Sequence, residues 1–469
     1  MRTRTGRIVK LIGFLALAFF LWLMVRDTLV MKRDDGITSM KIYYEQPADS
    51  VDVLFAGSSH SSYNIAAEEL WNRYGISFYQ LWGSSQPMWN TYHFLIEAFK
   101  TQRPKVVMLD VYGALMQDEY SDDARQATNT LGLKLSRNML ENIMVSAPKE
   151  RWGELFLGLP IYHDRFSELA KDDFIYYPWS KDSVDEKGSF AIYGTHDNVV
   201  FTPSDSEERL PLSAKQETWL RKIIDLCNKR NIPLVLMVTP TVDRAKEQGY
   251  YNTISDICAE TGTPFLNMNR IPDVEILPSD ISYDDSHLNM TGARKTGAYL
   301  AEYLHSHYEL PDHRGEDSYS SWESYAQKRA AGYLRLLETP GEMAEEIKLQ
   351  NYSVLLVRYG NSSGREHAFN DLADQDLPKN EGCWLIEDHA VSEVSLSPEG
   401  TANVYDTDIS ISFPDRSFAI SLTVDPVWKD EGIIAAVYDR THRQWIDAVY
   451  IPADEAEPME HLEFRSRPD

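Results

Sequence analysis

The sequence predicts an α/β protein: a doubly wound, five-stranded parallel sheet with an N-terminal transmembrane helix and a smaller, mainly-β C-terminal domain. Three observations predict it. Between residues 48 and 308, short apolar runs alternate with helical patterns, as buried parallel strands alternate with their crossover helices. One N-terminal apolar run is long enough to cross a bilayer. Beyond Pro340-Gly341 the texture changes to brief β-like runs parted by turn residues.

The first element is the apolar run 8–25, interrupted only by Lys10 and Gly13; as a helix it reaches about 27 Å. Arg2, Arg4, Arg7 and Lys10 precede or open it, so the positive-inside bias keeps the N-terminus in the cytoplasm. A cleaved signal peptide is the rival reading. Its only small-x-small triplet, Ala16-Leu17-Ala18, lies inside the apolar run, which favours an uncleaved signal-anchor. Either way, the chain after about residue 32 is expected outside the cytoplasmic membrane.

Residues 51–56 form an apolar run ending at Gly57, a first buried strand. A helical pattern follows, with Ile65, Leu70 and Tyr74 on one face. Residues 76–82 read as a second strand broken at Gly83-Ser84-Ser85, and Pro87 opens a helix striped by Trp89, Tyr92, Leu95, Ile96 and Phe99. Residues 106–110 are a third strand. From 113 to about 210 the rhythm breaks into a long insertion with short helices. A helix over 213–230, a strand over 232–239, a helix around 245–260, a strand at 264–267 and a helix over 291–307 complete the sheet. The domains expected are 1–32 (tail and anchor), 33–312 (α/β), 313–340 (helical connector) and 341–469 (β-rich).

A formal net charge of −26 argues against nucleic acid as a partner, because a polyanion would be repelled; the acidity reads as a solubility device. Cys227, Cys258 and Cys383 are too few and too scattered for a disulfide framework or a zinc site. Cys227 and Cys258 fall in helical, partly apolar patterns and are expected to be buried, with a 227–258 disulfide as the alternative. His60, His93 and His287 lack metal-ligand spacing, so neither metal nor cofactor is expected.

Two motifs carry chemistry. Gly57-Ser58-Ser59-His60-Ser61 ends the first strand, where open α/β sheets bind ligands beyond the strand carboxyl ends. A serine on that turn can project its hydroxyl and aim its own N–H at an oxyanion. Taken alone, an ordinary Gly/Ser turn explains it equally well. Asp284-Asp285-Ser286-His287 follows the last strand. An aspartate three residues before a histidine can accept the imidazole Nδ1–H and free Nε2 to take a proton from a serine. It can also be a helix cap. What favours chemistry is the pair, because the predicted fold brings both ends to one rim. Asp285 is the fallback acid.

These residues resemble the SGNH (GDSL-like) hydrolases over roughly residues 48–308. Gly57-Ser58-Ser59 looks like the family's first block, with Ser58 where Asp is common, and Asp284-x-x-His287 looks like its last. The resemblance implies a flavodoxin-like SGNH fold, Ser59 as nucleophile, His287 as base, Asp284 as its orienting acid, and an oxyanion hole from the Ser59 and Gly83 N–H groups. The third block departs: Asp110-Val111-Tyr112-Gly113 stands where the family has Gly-x-Asn-Asp. Losing one oxyanion donor costs roughly 10²–10³ in rate. Tyr112 either supplies a hydroxyl instead or packs. His60 either shapes the pocket or is a solvated turn residue. Trp82, Trp89, Trp152 and Trp179 either offer stacking faces to sugars or belong to the core.

The layout is similar to anchored SGNH-like envelope proteins that transfer acyl groups to polymers, such as the D-alanine-transfer and alginate O-acetylation proteins. That resemblance implies an O-acyl(acetyl)transferase, a membrane-bound O-acyltransferase as partner, and an envelope glycan or polymer as substrate. A free carbohydrate or lipid esterase is the same chemistry with water as acceptor. A non-catalytic scaffold is the alternative from another class. The Ser59 Oγ to His287 Nε2 distance separates enzyme from scaffold, with about 3–4 Å favouring the enzyme.

Overall fold

A computed structural model of the chain describes residues 2–30, 35–174, 186–194, 204–242, 244–284, 286–360, 364–373, 375–415, 417–420 and 431–462. The chain divides into two compact units, Met1–Trp322 and Glu323–Asp469. That boundary falls within the stretch expected as a connector.

In the first unit, helix α1 (Arg2–Leu29) contains Gly6–Leu29, long and apolar enough to span a membrane; its apolar side chains from Ile8 to Leu21 are exposed, as are Met24 and Val25. Helix α2 (Asp35–Tyr43) follows, an element the sequence pattern did not signal. Strands β1 (Val53–Gly57) and β2 (Phe78–Trp82) are separated by α3 (His60–Tyr63) and α4 (Glu68–Tyr74). Helix α5 (Met88–Ala98) leads to β3 (Val106–Asp110). The insertion carries α6 (Asp123–Thr128), α7 (Arg137–Ser146), α8 (Trp152–Leu157) and α9 (Leu159–Tyr162), with short 3-10 turns. Then come α10 (Ala214–Arg230), β4 (Leu234–Val238), α11 (Arg244–Thr261), β5 (Phe265–Asn267) and α12 (Met290–His307).

The sheet is wholly parallel in the order β2-β1-β3-β4-β5. Strands β1 to β4 are buried at every position, which is why they read as continuous apolar runs rather than alternating ones. The strand order reverses between β1 and β3, and the crevice beyond their carboxyl ends is where such sheets bind ligands. Gly57 and Asp110 stand at that crevice.

Helix α13 (Ser320–Leu334) crosses the boundary between units. Within the second unit α14 (Pro340–Leu349) follows, a correction to reading Pro340-Gly341 as the start of β texture. Thr339 caps the helix in a capping box with Glu342, and Pro340 occupies the first helical turn.

Strands β6 (Tyr352–Tyr359), β7 (Gly382–Glu387), β8 (Ala390–Glu393), β9 (Thr401–Val404), β10 (Thr407–Ser412), β11 (Ser417–Ile420), β12 (Gly432–Asp439), β13 (Gln444–Pro452) and β14 (Glu460–His461) follow. They form antiparallel sheets ordered β14-β13-β12-β6-β7-β8 and β11-β10-β9. Val354 and Leu356 face a core shared with α14, while Leu355 and Val357 face one shared with the three-stranded sheet. Alternate residues thus bury on opposite faces, and the strand reads as unbroken apolar. All three cysteines are free and buried, so residues 227 and 258 are not bridged.

Candidate active site

The site starts from Gly57. Its φ of 144° favours glycine, and a Cβ there would lie 2.8 Å from both the Cβ and the backbone oxygen of Asp110. Glycine thus lets the end of β1 close on the end of β3. Ser58, fully buried, then donates its hydroxyl to Asp110 Oδ2 at 2.7 Å and its N–H to the same oxygen at 3.3 Å. With Ser58 pinned inward, Ser59 turns outward at the start of α3 with ordinary helical angles. Its N–H has no acceptor among the described residues.

The second half of the site is a narrow loop before α12. Ile281 and Leu288 form a bridge, and Ser282 N–H donates to the His287 carbonyl at 3.0 Å. Asn289 caps α12 by accepting Gly292 N–H at 3.2 Å. Between these supports, Asp284 Oδ1 accepts the Ser286 and His287 N–H groups at 3.0 and 3.1 Å and the Ser282 hydroxyl. Asn64, buried at the end of α3, accepts Leu288 N–H at 2.9 Å. That bond ties the histidine loop directly to the helix that carries Ser59.

The structure brings Ser59, His287 and Asp284 together. His287 Nε2 lies 2.8 Å from Ser59 Oγ, and its Nδ1 lies 2.7 Å from Asp284 Oδ2. Burial raises the Asp284 carboxyl, but hydrogen bonds from Ser282, His287 and the Ser286 N–H outweigh it and hold the group well below the usual carboxylate range. Asp284 is therefore an anion wherever the protein is folded near neutral pH, suited to fix Nδ1–H and stabilise an imidazolium. The side chain of His287 is 15% exposed and that of Asp284 32%, so the group opens to solvent rather than lying in the core.

His60 is not a solvated turn residue. It is 2% exposed and stacks on Tyr112 with ring centroids 3.8 Å apart, 5.2 Å from the His287 ring. Burial, and then the neighbouring His287, lower its pKa well below the ordinary value and keep it neutral. Tyr112 is thus occupied by ring packing. Tyr63 lies on another side of His287, centroids 4.9 Å apart, and burial pushes its hydroxyl up to about 12. Trp82 and Trp89 are core residues, Trp152 is half-buried, and Trp179 and Asp285 lie outside the described residues.

Gly83 is engaged. Its N–H points at the Gly57 carbonyl at 3.4 Å, extending the β1–β2 ladder, so the Ser59 N–H is the open donor of the expected pair. The turn is fixed by an amide network absent from the sequence motifs. A Cβ on Gly83 would lie 1.9 Å from Asn129 Oδ1; Gln86 Nε2 donates to that oxygen at 3.1 Å, and Asn129 Nδ2 donates to Ser84 O at 3.0 Å. Gly36, at the start of α2, presses on the same turn, where its Cβ position is 3.3 Å from Gly83 Cα.

Asp110 gives the turn a pH dependence. Burial pushes its carboxyl up to about 6, against the downward pull of the Ser58 and Tyr112 donors. An unfolded aspartate ionises near pH 4, so its stabilising share is full below about pH 4 and lost as pH rises through about 6. That displacement corresponds to about 3 kcal/mol. In Asp110→Asn, the unfolding free energy relative to wild type should therefore climb by up to that amount between pH 4 and 7. Denaturant titrations at both pH values read it; a difference that does not change with pH would refute the assignment.

Among the described residues no group of three or more His, Cys, Asp or Glu is arranged to hold a metal ion. In comparisons with known proteins, no family model and no curated protein matches the chain.

Proposed function

We infer that this chain is a membrane-anchored, extracytoplasmic serine acyl-ester enzyme of the SGNH type, acting as an O-acyltransferase on a cell-envelope glycan or related polymer. The observation that carries the reading is the continuous relay Ser59 Oγ–His287 Nε2–His287 Nδ1–Asp284 Oδ2, with contacts of 2.8 and 2.7 Å. Those distances favour an enzyme over a scaffold. The parallel order β2-β1-β3-β4-β5, with the nucleophile turn at its reversal, supports the SGNH resemblance. The apolar α1 behind Arg2, Arg4, Arg7 and Lys10 supports an N-terminus in the cytoplasm and a catalytic unit outside it.

Ser59 Oγ attacks the donor's acyl carbon while its proton passes to His287 Nε2. The Ser59 N–H meets the oxyanion; Gly83 joins it where its long bond to Gly57 yields. The bond to the leaving group breaks, that group takes the proton from His287, and an acyl ester remains on Ser59. A sugar hydroxyl then gives its proton to His287 and attacks the ester, and Ser59 leaves reprotonated. The acyl group has moved from one oxygen or sulfur to another with no change of oxidation state. A neutral His60 beside His287 adds no competing positive charge. Tyr283, 67% exposed, and Tyr193, 41% exposed, offer aromatic faces near the triad loop in place of the buried tryptophans. A membrane-bound O-acyltransferase is the partner that would deliver the acyl group.

The test is an acceptor assay with the full chain in detergent, using p-nitrophenyl acetate as donor and envelope oligosaccharides as acceptors. Transfer predicts acetylated oligosaccharide that forms in proportion to nitrophenol release. Release with no acetylated sugar identifies an esterase. Absence of both release and an acetyl group on Ser59 refutes the enzyme reading.

A further inference from the structure

The last two turns of α1 carry a collar. Trp22 stacks on Phe156 with ring centroids 6.0 Å apart. The turn at Gly158 abuts Arg26, whose Nε lies 3.0 Å from the Cβ position of that glycine. The Arg165 guanidinium donates to the Leu29 carbonyl and pairs with Asp173 at 2.9 Å; Asp173 in turn accepts Ala170 N–H at 2.9 Å. Residues 152–174 are thereby fastened to the C-terminal end of the apolar helix.

From this fastened segment three large apolar side chains point outward: Phe166 at 73% exposure, Phe174 at 54% and Leu157 at 43%. Scattered exposed apolar residues need no explanation, but these flank a helix whose own exposed apolar side chains run from Ile8 to Val25. At a rise of about 1.5 Å per residue, Trp22 and Arg26 lie within about one turn of Val25. The collar therefore sits where the apolar run ends, the depth of the headgroup interface, where aromatic side chains over an apolar face are stabilised.

The geometry points to a second membrane contact: residues 152–174 lie in the interface of the leaflet that the C-terminal end of α1 reaches, with Leu157, Phe166 and Phe174 seated among lipid headgroups and upper acyl chains. The inference rests on α1 crossing the bilayer. The occupant is lipid, because the segment bearing the patch packs against α1, whose own apolar side chains are exposed as a membrane span's would be. One consequence bears on chemistry. Asp35 opens α2 six residues after Leu29, a chain that spans at most about 21 Å, and Gly36 touches the Gly83 turn beside the nucleophile. The collar thus holds the candidate triad near the membrane surface, within reach of an acyl donor that stays in the bilayer.

Single cysteines at Phe166→Cys, Phe174→Cys, Leu17→Cys in α1 and Lys229→Cys on α10 are labelled with an environment-sensitive fluorophore. The three native cysteines are buried and spared. The full-length chain is then reconstituted in phosphatidylcholine vesicles. Labels at 166, 174 and 17 should show blue-shifted emission, and the first two should be quenched by lipids brominated near the headgroup but not by aqueous iodide. The label at 229 should show the reverse. A lipid-embedded label at 17 with labels at 166 and 174 in water overturns the collar alone; a label at 17 in water overturns the collar together with the span.

Discussion

Ser59→Ala is expected to lower turnover of a chromogenic acyl ester by about 10⁴–10⁶-fold, and His287→Ala by a similar factor, with the double variant no worse than either single one. Non-additivity is the informative part. Ser59 and His287 share one proton through a 2.8 Å contact, so removing either breaks the same step. Ser59 is half-buried at a helix start and its hydroxyl bonds only to His287 among the described residues, so the alanine variant should keep its thermal midpoint. Equal turnover by Ser59→Ala and wild type would exclude this serine as the nucleophile.

Asp284→Asn is the second large effect, expected at about 10²–10⁴-fold on kcat with little change in KM. A buried relay aspartate in a serine protease reaches the upper figure; the partial exposure of Asp284 argues for a lower one here. An asparagine that turns its NH₂ toward Nδ1 favours the wrong tautomer and leaves Nε2 unable to take the Ser59 proton. The pH dependence of stability checks the ionised state behind this. The Asp284 carboxyl is held well below the usual range, so its share of the folding free energy is present above the unfolded value and is lost only as pH falls through that depressed folded value. The gap in unfolding free energy between wild type and variant should thus stay level from neutral pH into mild acid. A gap that collapses above about pH 5 would contradict the assignment.

The parallel sheet was legible because its strands are buried on both faces and so leave unbroken apolar runs, as at Val53–Gly57 and Val106–Asp110. The candidate triad was legible as two local motifs, Gly57-Ser58-Ser59 and Asp284-x-x-His287, whose meeting needed only the strand order. What holds them was not. Ser58 finds Asp110 at 52 residues' separation, and Asn64 finds Leu288 at 224, pairings that no local period encodes. Asn129 fixes the Gly83 turn from within the insertion, where no pattern singled it out. His60 is ambiguous in sequence because a histidine in a Gly/Ser turn looks solvated until Tyr112 covers it. Helix α14 was missed for a different reason: Pro-Gly signals a break, yet proline in a first helical turn behind a threonine cap starts a helix instead. The polar strands β8 and β9, four residues each and mostly exposed, carry too little apolar pattern to be seen.

The most direct test is to treat the full-length protein with a serine-reactive fluorophosphonate and map the adduct by peptide mass spectrometry. A single phosphonylated site at Ser59, absent in Ser59→Ala and formed far more slowly in His287→Ala, is the predicted result. Stoichiometric labelling at another serine, or Ser59 labelling at an unchanged rate without His287, would contradict the relay on which the proposed chemistry depends.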